Sequence, residues 1–211
     1  MTGIYIATED ALSEAVADRL VAEANQGLCV AVRLGRRGNS YLRKKLPELV
    51  RTAKAIPVLL LTDLDRVDCP PTLLANWRGE QIMPSGMLFR VAVREIEAWL
   101  LADREGFAEF CGAPLDKLPE RPELLADPKK TLLALIRRYG KREIKAGILP
   151  ERGSTAKIGF MYNQILAGFV SDSWSVVRAA RNADSLGRTC RRLDELGKRC
   201  NEQESLRKEI P

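Results

Sequence analysis

Three aspartates, Asp63, Asp65 and Asp68, crowd the end of the apolar run VLLLT that begins at Val58. Carboxylates at positions i and i+2 of an extended chain point to the same side, which is the geometry that holds a cation. A third acid, Glu9, follows another apolar run, GIYIA, near the start of the chain. If both runs are parallel strands of one open sheet, their carboxyl ends share a rim, and the three acids converge there. Such acids repel one another unless a cation is present. Mg²⁺, or Mn²⁺ in its place, suits a site built from oxygen alone, and could activate water and neutralise a phosphate.

The chain contains no histidine. That excludes Ser-His-Asp and Cys-His catalysis, histidine-ligated zinc and a histidine general base. Five cysteines, Cys29, Cys69, Cys111, Cys190 and Cys200, are scattered without a C-x-x-C pair. They indicate neither a zinc site nor a disulfide framework, and a reducing cytoplasm is the expected compartment. No apolar run approaches the roughly 20 residues of a membrane span, and no signal peptide is expected.

The net charge is +6, and the whole excess falls in residues 106–211. A basic half is compatible with nucleic acid. In the first half, GRRGNSYLRKK gathers Arg36, Arg37, Arg43, Lys44 and Lys45 at a glycine-rich turn and a helix start. Backbone N–H groups and arginines in that arrangement can hold phosphate, and a solvated basic helix face is the alternative. Lys157, in STAKIGFMYN, is a second basic residue that could approach a phosphate. The cluster Arg188–Leu193 could track a nucleic-acid backbone or simply face water. Aromatic residues make up only 6% of the chain, so base stacking is not the expected mode of binding.

The elements that must position these groups alternate. Strands are expected over residues 3–7, 28–34, 56–62 and 87–93. The first two helices place Leu12, Val16 and Leu20, then Leu42, Leu46, Leu49, Val50 and Ala53, at helical spacing. Asp10 can cap the first, and Pro47 should kink the second or start a new turn. This is an α/β pattern with a mostly parallel sheet flanked by helices. A further helical stretch puts Ile96, Trp99, Leu100 and Phe107 on one face, with Trp99, Leu100 and Leu101 expected in the core. After Gly112 a proline-rich connection leads into an α-helical C-terminal part, with helices expected at 129–139, 156–170, 174–183 and 185–200 and a frayed tail beyond. Two regions follow, 1–105 and 106–211.

The strings ATEDALSEAV, GRRGNSYLRKKL, LLTDLD, LFRVAVREIEAWLLAD and SLGRTCRRL together resemble small stand-alone Toprim proteins of bacterial phage-defence clusters, in the manner of the overcoming-lysogenization-defect nucleases. The Toprim resemblance itself spans roughly residues 3–105. It implies a Toprim-like fold, divalent-metal binding and action on phosphodiester bonds, in the company of an ATPase. By that resemblance Glu9 is the acid of the first strand loop and Asp63 and Asp65 are the metal-binding pair. Glu97, within the E-x-W-L-L string, is a further acid in or behind the site. Glu95 and Glu97 diverge on a helix, so one of them at most points into the site.

The leading expectation is a metal-dependent nuclease in which Glu9, Asp63 and Asp65 hold Mg²⁺ and Arg36, Arg37, Arg43, Lys44 and Lys157 position the backbone. Two other readings stay open. The same layer could be a non-catalytic docking or regulatory subunit of an ATPase complex, or the site could serve a small nucleotide. DNA versus RNA, and whether the chain self-associates, are left undecided.

Overall fold

In the computed structural model the described residues are 1–24 and 27–208, with the backbone alone for 203–208. Four apolar runs become strands: β1 (Thr2–Thr8), β2 (Leu28–Gly35), β3 (Val58–Asp63) and β4 (Met87–Ala92). They form one parallel sheet in the order β2-β1-β3-β4. β1 pairs with β2 on one side and β3 on the other, with Thr8 opposite both Gly35 and Leu61. β3 is buried along Val58–Thr62, as a central strand covered on both faces must be. The α/β expectation therefore holds.

Backbone connectivity divides into two compact units, each drawn from separated stretches. The first comprises residues 1–62, 67–91 and 187–211, and the second 63–66 and 92–186. The residue pair 105/106 lies inside a helix of the second unit, Arg104–Cys111.

In the first unit, α1 (Ala11–Glu23) is capped by Asp10, whose Oδ1 accepts from the Ser13 N–H at 2.8 Å. Its Leu12, Val16 and Leu20 are buried, as their spacing requires. α2 (Asn39–Thr52) buries Leu42, Leu46, Leu49 and Val50 and runs unbroken through Pro47. α3 (Pro70–Arg78), a helix not expected from the sequence, begins on the Pro70-Pro71 pair. Proline at the first helical positions loses only N–H groups that would be unpaired anyway. Gly35 ends β2 at φ +120°, and a Cβ there would lie 2.0 Å from the Thr8 carbonyl oxygen. Only glycine lets β2 close on β1 at that point.

The second unit is mainly helical: α4 (Ile96–Ala102), α5 (Arg104–Cys111), α6 (Pro128–Tyr139), α7 (Arg142–Ile148), α8 (Tyr162–Asp172) and α9 (Val176–Asn182). The proline-rich connection holds two single 3₁₀ turns, Leu115–Lys117 and Pro122–Leu124. Trp99, Leu100 and Leu101 are wholly buried, which settles them as core. The Trp99 indole N–H donates to Ser185 Oγ at 2.8 Å and the Trp174 indole N–H to the Trp99 carbonyl at 3.1 Å. Phe107 meets Phe169 edge-on, with centroids 5.7 Å apart, the favourable aromatic arrangement.

Two expectations need correction. The helix expected over 156–170 starts only at Tyr162, because Gly159 leaves the helical path. Its N–H donates to the Ile148 carbonyl at 2.8 Å, and a Cβ would stand 2.3 Å from the Gly147 oxygen. The last helix, α10 (Asp184–Lys208), runs on through most of the tail expected to fray. The remaining tail, 209–211, lies outside the described residues.

Candidate functional site

β3 delivers Asp63 at its carboxyl end, and the chain then turns. The Asp63 Oδ1 accepts from the Ile96 N–H at 2.9 Å, where α4 begins. A carboxylate there meets a free N–H and the positive end of the helix. Asp65 adopts φ +52°, a left-handed conformation that aspartate tolerates better than most residues. Its N–H donates to the Arg94 carbonyl at 2.9 Å, and Arg94 Nη1 donates back to the Asp65 carbonyl at 3.4 Å. The chain is thus not extended through Asp65, as a same-side D-x-D requires. Asp65 is instead held by Arg94, with its side chain exposed.

A cavity of about 560 Å³ opens beside it in the second unit, lined by Asp65, Arg94, Glu95, Lys129, Lys130 and Lys157 among others. Lys129 and Lys130 stand in the first turn of α6, which Asp127 caps through the Lys130 N–H at 2.7 Å. Glu95 Oε2 takes the Lys129 N–H at 3.0 Å, so Glu95 serves the start of α6. Lys157 is exposed, in the segment tied down at Gly159. The cavity therefore sets acids and lysines side by side, an arrangement suited to an anionic ester and a cation together.

Behind it lies Glu97, 1% exposed. Its Oε1 accepts from the Tyr162 hydroxyl at 2.7 Å and pairs with Lys129 Nζ at 3.3 Å. Its Oε2 is buried with no hydrogen-bond partner. Burial pushes the Glu97 carboxyl above the usual carboxylate range, and Lys129 and Tyr162 offset this only in part. Burial acts to lower the Lys129 ammonium, but Glu97, Glu95 and Asp63 outweigh it and hold Lys129 above the usual lysine value. Lys129 is thus charged at neutral pH and couples Glu97 to Asp63. Sequence reasoning missed Lys129 and Tyr162. The cap signal Asp127-Pro128 places Lys129 at a helix start, but nothing in the sequence pairs it with Glu97.

Glu9 belongs to the first unit. Its Oε1 accepts from the Thr62 hydroxyl, and its carbonyl oxygen accepts from the Gly38 N–H at 3.0 Å. Thr62 is the residue to which Asp63 is bonded in the chain. Among the described residues, no group of three or more acidic or cysteine side chains is disposed to hold a metal ion. The donor chemistry is nonetheless that of Mg²⁺, which needs only one or two carboxylates and fills its shell with water and phosphate oxygen. Asp63 and Asp65 are the two carboxylates that the sequence resemblance assigns to it.

The basic residues of the first unit separate. Arg36, at φ +59°, is spent on the buried Glu14, to which its Nε donates at 2.9 Å. Arg37 lies over the Tyr41 ring at 5.3 Å, and Arg43 Nη2 donates to the Asn76 carbonyl at 3.2 Å. Lys45 pairs with Glu48 at 2.8 Å. Lys44 is exposed and makes no ion pair among the described residues. The five cysteines are free, and no helix among the described residues is long and apolar enough to cross a membrane.

Comparison with protein-family models finds no match, and comparison with curated proteins finds none. Among solved structures the chain is similar to the C-terminal region of the Burkholderia pseudomallei OLD protein, at 19% identity and a TM-score of 0.46, over 92% of this chain and 98% of that one.

Proposed function

We propose that this chain is a Mg²⁺- or Mn²⁺-dependent phosphodiesterase acting on nucleic acid. The reading is supported by the cavity in which Asp65 stands among Arg94, Lys129, Lys130 and Lys157, with Asp63 within electrostatic reach of Lys129. Acids for a cation and cations for a phosphate, side by side, match the needs of phosphodiester hydrolysis. Asp63 and Asp65 are the metal-holding pair. A divalent ion bound there supplies an activated water and offsets charge on the phosphate.

The chain's own residues do the rest. Lys157 and Arg94 hold the phosphate oxygens, and Lys129 keeps a positive charge beside Asp63. Glu97, with its raised carboxyl and Tyr162 hydrogen bond, is the group able to hold a proton within the cluster. The setting implied by the sequence resemblance, phage defence with an ATPase partner, belongs to the same proposal.

Incubation of the purified chain with plasmid DNA and with RNA, in Mg²⁺, Mn²⁺ or chelator, tests this. Metal-dependent cleavage is expected, lost in Asp63→Asn/Asp65→Asn. Cleavage unchanged in that variant would refute the assignment. A second reading is a non-catalytic docking subunit of an ATPase complex. It predicts no Mn²⁺ uptake in calorimetric titration.

A further inference from the structure

β4 is an edge strand of the sheet, and Arg90 sits on it, half-buried. Its Nε donates to Thr189 Oγ1 at 3.3 Å on α10. Thr189 is fully buried, so this contact fixes where the Arg90 guanidinium lies. Around it stand Arg188, Arg191 and Arg192, whose spacing of three and four residues puts them on one face of α10. Burial, then Arg192, Arg188 and Arg191 in turn, holds the Arg90 guanidinium below its usual value.

The acids nearby do not balance this charge. Arg192 reaches Glu195 at 2.6 Å, with both side chains more than half exposed. Asp194, half-buried, bears on Cys190, as does Glu23. Arg188 and Arg191 are exposed and have no ion pair among the described residues. Among the described residues, one exposed carboxylate, that of Glu195, pairs with one of these four guanidinium groups. Repulsion of this kind is relieved when an anion is bound.

We propose that Arg90, Arg188, Arg191 and Arg192 form a binding surface for the phosphodiester backbone of nucleic acid, independent of base sequence. The inference rests on the nucleic-acid reading above. The planar guanidinium fork matches phosphate oxygens. Beyond Glu195, the exposed Lys198 and Arg199, the latter donating to the Ser85 carbonyl at 3.2 Å, carry positive charge along α10 to about 16 Å from Arg188 at the helical rise. A line of that length suits a polymer better than a single small anion. With aromatics at 6% of the chain, the affinity should come from phosphate neutralisation rather than stacking.

Fluorescence anisotropy with labelled duplex DNA and labelled single-stranded RNA, in chelator and across a salt series, tests the surface without calling on the metal. Arg188→Gln/Arg191→Gln alters only exposed positions, so the fold should persist, and circular dichroism checks this. Removing two phosphate contacts should weaken binding and make the slope of log K against log salt shallower by about 1.8 for duplex and about 1.4 for single strand. Arg188→Lys/Arg191→Lys should keep the slope. An unchanged slope in the glutamine variant overturns the proposal. So does a loss confined to anionic lipid vesicles with nucleic-acid binding intact, which would assign the patch to a membrane surface. Binding with the expected slopes but no metal-dependent cleavage would sink the nuclease reading and leave this surface standing.

Discussion

Replacing Tyr162 by Phe removes one oxygen and leaves the ring in its buried place. The lost contact is the 2.7 Å hydrogen bond to Glu97 Oε1. At acid pH Glu97 is neutral, and a neutral hydrogen bond contributes about 1 kcal/mol. Once Glu97 ionises, the same hydroxyl donates to a carboxylate, and its loss costs about 2 kcal/mol. Lys129 cannot make up the difference, since its side chain is 37% exposed and already paired with Glu97 at 3.3 Å. The penalty should therefore grow as pH rises through the raised Glu97 value. For a chain of this length 1 kcal/mol corresponds to about 2–4 °C in Tm. The expected drop is about 2–4 °C below the raised Glu97 value and about 4–8 °C above it. Differential scanning calorimetry of both proteins across that range reads it. An equal drop at both ends would show that Glu97 does not change charge beside Tyr162, and the account of this cluster would fail.

The same cluster predicts the behaviour of Glu97→Gln. Because burial raises the folded carboxyl above its unfolded value, Glu97 favours the folded state most below the unfolded value, and that contribution is lost as pH rises through the folded one. Glu97→Gln has no such titration, so its Tm relative to wild type should climb over that window; a constant difference in calorimetry counts against the raised carboxyl. Asp103 is fully buried and accepts from the Gly106 N–H at 3.2 Å, the Ser175 N–H at 2.7 Å and Arg178 Nε and Nη2 at 2.6 and 2.8 Å. Asp103→Ala should cost about 3 kcal/mol, toward the low end for a broken buried pair because Arg178 is 38% exposed, and urea denaturation reads the loss.

Long apolar runs and helical spacing made the sheet and the first helices legible: residues 28–34 became Leu28–Gly35, and Leu42, Leu46, Leu49 and Val50 became one buried face. What failed was local chemistry with two meanings. Proline pairs such as Pro70-Pro71 occur in loops and at helix starts, and α3 begins there. Arg36 reads in sequence as a phosphate ligand or as part of a solvated basic face. Only the fold shows that Glu14 turns inward and claims it. The aspartate pair was legible as a strand end, but not its geometry, because an extended strand was carried two residues too far. Asp65 at φ +52° ends it. Lys129 and Tyr162 lie 32 and 65 residues from Glu97 in sequence, beyond the reach of any periodicity.

Glu97 is where stability and chemistry pull apart. A fully buried carboxyl with one unpartnered oxygen is a cost, and a well-packed apolar side chain in its place is often neutral or stabilising. Tyr162 and Lys129 offset only part of that cost, since the carboxyl stays raised after both have acted. Asp63 differs in kind, because the Ile96 N–H that it accepts at the start of α4 gives it a structural reason to be there. Asp63→Asn keeps an oxygen for that bond, so loss of cleavage in this variant would report on charge and metal. Loss in Asp63→Ala would also reflect an uncapped helix. The pair Asn and Ala at this one position separates the acid as a ligand from the acid as a cap.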